Sequence, residues 1–160
     1  MPADVLRRLA TIGGVVKPHF RAGVVAVVRR SDGQLLAFER ADAPGSWQLP
    51  QGGINSGESP EQAVWRELCE ETGLTDREVR LVEQPPHWTI YEWPQDMRSS
   101  DRIGQAHRWF FFEPIDDDVV PQPDGREFVA WRWMRATDLI DGVVAFRRGP
   151  YVQVLGSIDG

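Results

Sequence analysis

Residues 52–74 read GGINSGESPEQAVWRELCEETGL, and the fold is decided in this stretch. At its centre, Arg66-Glu67-Leu68-Cys69-Glu70-Glu71 forms an acidic cluster with helical spacing. At about 100° per residue, Glu67, Glu70 and Glu71 share one helix face, where their carboxylates repel one another. A divalent cation removes that conflict, and oxygen-only ligands point to Mg²⁺, Mn²⁺ or Ca²⁺ rather than Zn²⁺. The helix has clear ends. Ser59 suits the N-cap, Pro60 the first helical position, and Gln62 completes a Ser-x-x-Gln capping box. Gly73 stands where a helix stops in the left-handed conformation, so a helix is predicted over residues 60–72. The glycine-rich loop before it, residues 52–58, brings backbone N–H groups and a helix N-terminus close to any anion nearby.

Upstream, residues 20–28 (FRAGVVAVV) are nearly continuous in apolar residues, as in a strand buried on both faces. Ser31-Asp32-Gly33 is a turn signal, and residues 34–39 read as the partner strand of a hairpin. Residues 41–46 form a loop, and Trp47-Gln48-Leu49-Pro50 leads into the glycines. Downstream, strands are expected over residues 79–83, 87–93, 106–113 and 127–134. Residues 94–104, with Arg98, Asp101 and Arg102, read as a mobile polar loop. Residues 114–125 read as a surface loop whose Asp116-Asp117-Asp118 run is solvated. A short helix is expected over residues 136–140, and a closing helix within 146–155 that starts near Pro150. Residues 1–17 stand apart as an N-terminal extension, where Val5, Leu6 and Leu9 could line a short helix ended by Gly13-Gly14.

Composition sets the frame. A chain of 160 residues, 41% hydrophobic and with seven Trp, makes one well-packed domain. No apolar run approaches the ~18 residues of a membrane span, and the first residues lack a signal-sequence pattern. Cys69 is the single cysteine, which excludes an intrachain disulfide and is compatible with a reducing cytoplasm. The net charge of −6 argues against a protein that grips nucleic acid along its length. A small polyphosphate, or just the end of an RNA, fits better, with metal ions and a few Arg supplying local positive charge.

Gly52, five residues, Glu58, seven residues, Arg66-Glu67, Leu68, Cys69, Glu70-Glu71, Thr72, Gly73 and Leu74 together resemble the complete Nudix box. Seven specified residues and two apolar positions would coincide by chance in on the order of one chain in 10⁸, too rarely for an incidental acidic face. The resemblance implies an α/β/α sandwich around a mixed β-sheet, occupying residues 18–158 as a single α/β domain. It also implies a Mg²⁺- or Mn²⁺-dependent pyrophosphohydrolase acting on a nucleoside polyphosphate. Glu67, Glu70 and Glu71 would then be metal ligands, with Arg66 orienting them and Glu58 steadying the loop or binding metal indirectly. A backbone carbonyl of Gln51 or Gly52 would join the metal shell.

Matches outside the box point to a subgroup. SWQLPQGGI (46–54), IGQAHRWF (103–110), Glu127-Phe128 with Trp131-Arg132-Trp133, and VAFRR (144–148) resemble segments of bacterial RNA 5′-pyrophosphohydrolases and asymmetric diadenosine tetraphosphate hydrolases. That resemblance makes Glu127 a further metal ligand or the general base, Arg21 a phosphate clamp, and Arg40 and Arg147 phosphate or base contacts. Tyr91 and Phe146 are then base-stacking candidates, with a core role as the alternative for each. His19, His87 and His107 have no metal-site spacing and read as structural or exposed. The chain departs from the subgroup at Phe20-Arg21-Ala22-Gly23-Val24-Val25, where Tyr-Arg-x-Asn-Val-Gly is usual, and at Glu92, where a basic residue is common. The departures bear on the substrate, so oxidised deoxynucleotides and ADP-ribose stay open as alternatives. A Nudix-fold sensor that binds a nucleotide without cleaving it is the alternative of another class. Neither a membrane nor an extended nucleic-acid surface is expected.

Overall fold

The alternation of one strand divides the molecule into two cores. In the computed structural model, which describes residues 18–158, β1 (His19–Val28) runs through the centre of a sheet. Val24, Ala26 and Val28 project to one face, and Val25 and Val27 to the other, each at most 1% exposed. That is the period-2 geometry of a strand buried on both faces, as the apolar run predicted. The short helix expected within residues 1–17 lies outside the described residues.

Chain order continues with β2 (Leu35–Arg40), β3 (Trp47–Gln48), β4 (Gln51–Gly53), α1 (Pro60–Thr72), β5 (Val79–Glu83) and β6 (Trp88–Glu92). It closes with β7 (Arg102–Pro114), β8 (Phe128–Met134), α2 (Ala136–Gly142) and α3 (Arg148–Leu155). The main sheet runs β4-β1-β7-β5, with β6 also on β7; β1 and β7 are parallel and the other pairs antiparallel. A second antiparallel sheet runs β3-β2-β8. Helix α1 packs Ala63, Val64 and Leu68 on one side of β1, while α2 and α3 pack Leu139, Tyr151 and Leu155 on the other. The result is a single-domain α/β/α sandwich around mixed strands. Among the described residues no helix is long and apolar enough to cross a membrane.

The expected β1–β2 hairpin does not form. The turn is there: Gly33 adopts φ 88°, its N–H donates to the Arg30 carbonyl at 2.9 Å, and Asp32 accepts from the Gln34 N–H. Beyond it the strands diverge, joined only by the Arg29–Leu35 bridge. Both edges of β1 are taken by β4 and β7, so β2 pairs with β3 and β8 instead. Three smaller differences follow from tertiary pairing. Residues 102–104, expected in a loop, open β7 because β1 pairs at Arg102 and Gly104 and β6 at Gly104; a Cβ on Gly104 would overlap the Tyr91 backbone. The expected lead-in at residues 47–50 holds β3, and β4 takes in the first two glycines of the expected loop. Helix α3 starts at Arg148 after a 3-10 turn at Ala145–Arg147, two residues ahead of Pro150. Pro150 therefore falls in the first helical turn, where a missing N–H costs nothing.

Helix α1 has the ends predicted for it. The Ser59 hydroxyl accepts from the Gln62 N–H at 3.1 Å, and the Gln62 side chain accepts from the Ser59 N–H at 2.9 Å. Gly73 closes the helix at φ 72°. Burying Leu68 contributes roughly 2–3 kcal/mol to holding this helix against the sheet.

Candidate active site

Arg66 ties the box helix to the glycine loop. Its Nε and Nη2 donate to the two oxygens of Glu58 at 2.7 and 2.9 Å, a bidentate pair, and Nη2 also donates to the Gly53 carbonyl at 2.8 Å. Nη1 donates to Glu67 at 2.7 Å and more weakly to Glu70 at 3.3 Å. The Arg66 hydrogen bonds, joined by the Asn55 N–H, hold the Glu58 carboxyl down at about 2. The guanidinium is in turn held firmly charged, chiefly by Glu58. Glu58 thus acts on Arg66 and the loop, and Arg66 sets the direction of Glu67.

Two adjacent glycines bring the charged groups onto β4. A Cβ on Gly52 would overlap the Glu67 carboxylate, and one on Gly53 would overlap the Arg21 guanidinium. Neighbouring strand positions face opposite ways, so the acid approaches from the helix side and Arg21 from the other. Glu71, only 7% exposed, accepts from the Gln51 N–H at 3.3 Å. Burial first, then the Glu67 charge and hydrogen bond, push its carboxyl up to about 10, with the Glu127 charge adding to the effect. Glu127 is exposed just before β8, close enough for its charge to bear on both Glu71 and Arg40.

Glu67 thus meets Glu71, and Glu127 lies within reach of Glu71 by charge alone, while the Glu70 side chain, 59% exposed, lies beside Arg66. Among the described residues no three acidic, His or Cys side chains already converge on one point. The donor set nonetheless fits a hard divalent cation. Every side-chain donor is an oxygen, the Gln51 and Gly52 backbone lies against Glu67 and Glu71, and a positive charge beside the buried Glu71 carboxyl would favour its ionised form.

The candidate substrate residues form a second cluster on the sheet face that carries α3. Tyr91 is 7% exposed; its hydroxyl donates to Gln105 and accepts from Arg147 Nε at 3.4 Å. Arg147 also donates to Gln48 and sits 5.4 Å from the centre of the Phe146 ring. The Tyr91 ring lies 6.0 Å from that of Phe146 and 5.6 Å from that of His107. Tyr91 therefore occupies a core position behind the half-buried Phe146. Arg40 pairs with Asp42 at 2.6 Å. His107 is buried with Nε2 unpartnered, and a Cβ on Gly23 would overlap its ring. His19 and His87 are exposed. Gln48, Gln105 and His107 were not among the residues expected here. Period-2 spacing of Gln105 and His107 with buried Trp109 is the signal that groups the last two on one face of β7.

Comparison with known proteins identifies the family and the fold. Residues 19–154 match the family described as NUDIX domain. The chain is 35% identical over 145 residues to an RNA pyrophosphohydrolase of Cereibacter sphaeroides, covering 86% of this chain and 90% of that one. It is 38% identical over 143 residues to an RNA pyrophosphohydrolase of Proteus mirabilis, covering 85% and 81% of the two chains. The structure of the E. coli dihydroneopterin triphosphate pyrophosphohydrolase superposes with a TM-score of 0.69 at 19% identity, over 85% of this chain and 97% of that one. With the complete box on a capped helix, Arg66 clamping the glycine loop to Glu67, and a family match spanning both sheets, the chain belongs to the Nudix family.

Proposed function

We propose that this chain is a Mg²⁺- or Mn²⁺-dependent pyrophosphohydrolase that acts in the cytoplasm on 5′-triphosphate ends of RNA or on dinucleoside tetraphosphates. The observation that carries the reading is the buried Glu71 carboxyl against Glu67 and the Gln51–Gly52 backbone, within reach of the Glu127 charge. The names of the relatives, and the segments shared outside the box, support RNA ends as the substrate.

Glu67, Glu70, Glu71 and Glu127 would hold the metal, with the Gly52 or Gln51 carbonyl completing its shell. Bound there, the ion would neutralise phosphate charge and orient the attacking water. Where Glu127 serves as the general base rather than as a ligand, it takes the proton of the water as that water attacks phosphorus and the anhydride P–O bond breaks. Arg66 contributes by fixing Glu67, and a fixed carboxylate keeps the reacting geometry. Arg21, Arg40 and Arg147 place positive charge for the phosphates, and Phe146 offers a ring face to a base.

The test is hydrolysis of 5′-triphosphorylated RNA, diadenosine tetraphosphate, ADP-ribose and oxidised dGTP, compared at matched concentrations with Mg²⁺ or Mn²⁺. Preference for either of the first two supports the proposal; preference for the last two keeps the chemistry and removes the substrate. Glu70→Gln should lose about two to four orders of magnitude in kcat with an unchanged melting temperature. A Glu70→Gln protein with full ligand response, from a parent that turns over none of the four, would mark a sensor instead.

A further inference from the structure

The fourth acid, Glu127, is separated from Glu71 by 55 residues, and its position depends on a loop that the box chemistry does not mention. That loop grips the end of α1. The N–H groups of Gln122 and Asp124 donate to the Thr72 and Glu71 carbonyls at 2.7 and 3.1 Å. These are among the last carbonyls of the helix, which have no partner within it. Asp124 then turns the chain back. Its Oδ1 accepts from the N–H groups of Arg126, Glu127 and Phe128 at 3.1, 2.9 and 3.1 Å. Gly125, at φ 76°, supplies the left-handed residue the turn needs, and its N–H donates to the Phe128 carbonyl at 2.9 Å. From the other side, the Ala41 N–H donates to the Glu127 carbonyl at 2.9 Å.

The backbone of Glu127 is therefore held at both its N–H and its C=O, leaving only side-chain torsions free. We propose that Asp124 is a positioning residue, whose carboxylate fixes Glu127 beside the Glu67–Glu71 face by tying it to the end of the box helix. The inference rests on the role given to Glu127 above. Asp124 acts as a hydrogen-bond acceptor here, its Oδ1 engaged by backbone, so the acceptor matters and the charge does not.

The full-length protein carrying Asp124→Ala, Asp124→Asn, Glu127→Gln or the double change Asp124→Ala/Glu127→Gln separates these roles. Two readouts are needed: kcat and KM on 5′-triphosphorylated RNA and diadenosine tetraphosphate, and Mn²⁺ affinity by titration without substrate. Asp124→Ala should lower kcat about 10- to 100-fold, and weaken Mn²⁺ binding, with KM within about threefold. Asp124→Asn, which keeps the acceptor, should stay within about threefold of the parent in both readouts. The double variant should be no worse than Glu127→Gln alone, because the two residues act as one unit. The Mn²⁺ titration decides the matter even if neither substrate is turned over.

Positioning is overturned if Asp124→Ala lowers only the melting temperature, if Asp124→Asn fails as badly as Asp124→Ala, or if the two losses multiply. An impaired Glu127→Gln beside an intact Asp124→Ala overturns positioning alone. A Glu127→Gln protein with full kcat and full Mn²⁺ affinity removes the role of Glu127, and the inference with it.

Discussion

At the scale of single residues, the site is built from groups whose titration the protein shifts away from that in water. Glu58 is kept ionised by Arg66, Glu71 is pushed towards its neutral form by burial, and His107 is kept neutral. For His107 the cause is first burial, then the positive charges of Arg147 and Arg21, which together bring its value down to about 3. The consequence has a definite sign. Between about pH 6.5 and 3 the unfolded chain binds a proton at His107 that the folded protein refuses. The stability this group contributes is present above about pH 6.5 and is lost progressively as pH falls. His107→Gln removes the titration while keeping a polar side chain of similar length. Urea unfolding at about pH 7 and about pH 4.5 should show the parent losing about 2–3 kcal/mol more than this variant. Equal losses would mean that the folded imidazole takes up its proton normally.

At the scale of elements, the helix that carries the acids was legible from the sequence down to its caps. Capping is local chemistry: Ser59, Gln62 and Gly73 need only their own neighbours to do their work. Ser59→Ala should therefore cost about 1 kcal/mol in thermal or chemical unfolding, as N-cap losses do. Because Arg66 holds Glu58 and Gly53 independently of the cap, kcat should stay within about twofold, and a tenfold fall would make the cap part of the catalytic framework. Strand pairing was less legible, and β2 shows why. Its sequence and the turn before it satisfy every local signal for a hairpin with β1, yet partners are chosen by which edges remain open. Parallel pairing of β1 with β7, about 80 residues away, left no trace in either segment. The same holds for the site. Glu67, Glu70 and Glu71 announce themselves by spacing, whereas Glu127 was reached only through family resemblance. The acceptor role of Asp124 stayed invisible until the loop met the end of α1.

At the scale of the whole molecule, charge restricts how an RNA could be held. The chain carries −6 overall, and among the described residues five arginines are held in ion pairs: Arg30 with Asp32, Arg40 with Asp42, Arg66 with Glu58, Arg80 with Glu113 and Arg98 with Glu92. The cations set toward the site are few, with Arg21 against Gly53 and Arg147 beside Phe146. A protein that tracked several nucleotides along such a surface would meet net repulsion. One that holds only a 5′ end would gain its affinity from the polyphosphate and the metal. These cases differ in salt dependence, since each phosphate neutralised by a side chain adds roughly 0.7 to the slope of log affinity against log salt for a single strand. With two such contacts, KM for 5′-triphosphorylated RNA should rise less than about tenfold between about 50 and 200 mM monovalent salt at fixed Mg²⁺. Lengthening the RNA beyond the first few nucleotides should leave KM unchanged under either condition. A rise of about a thousandfold, or a KM that keeps falling with RNA length, would require an extended cationic track that this charge distribution does not provide.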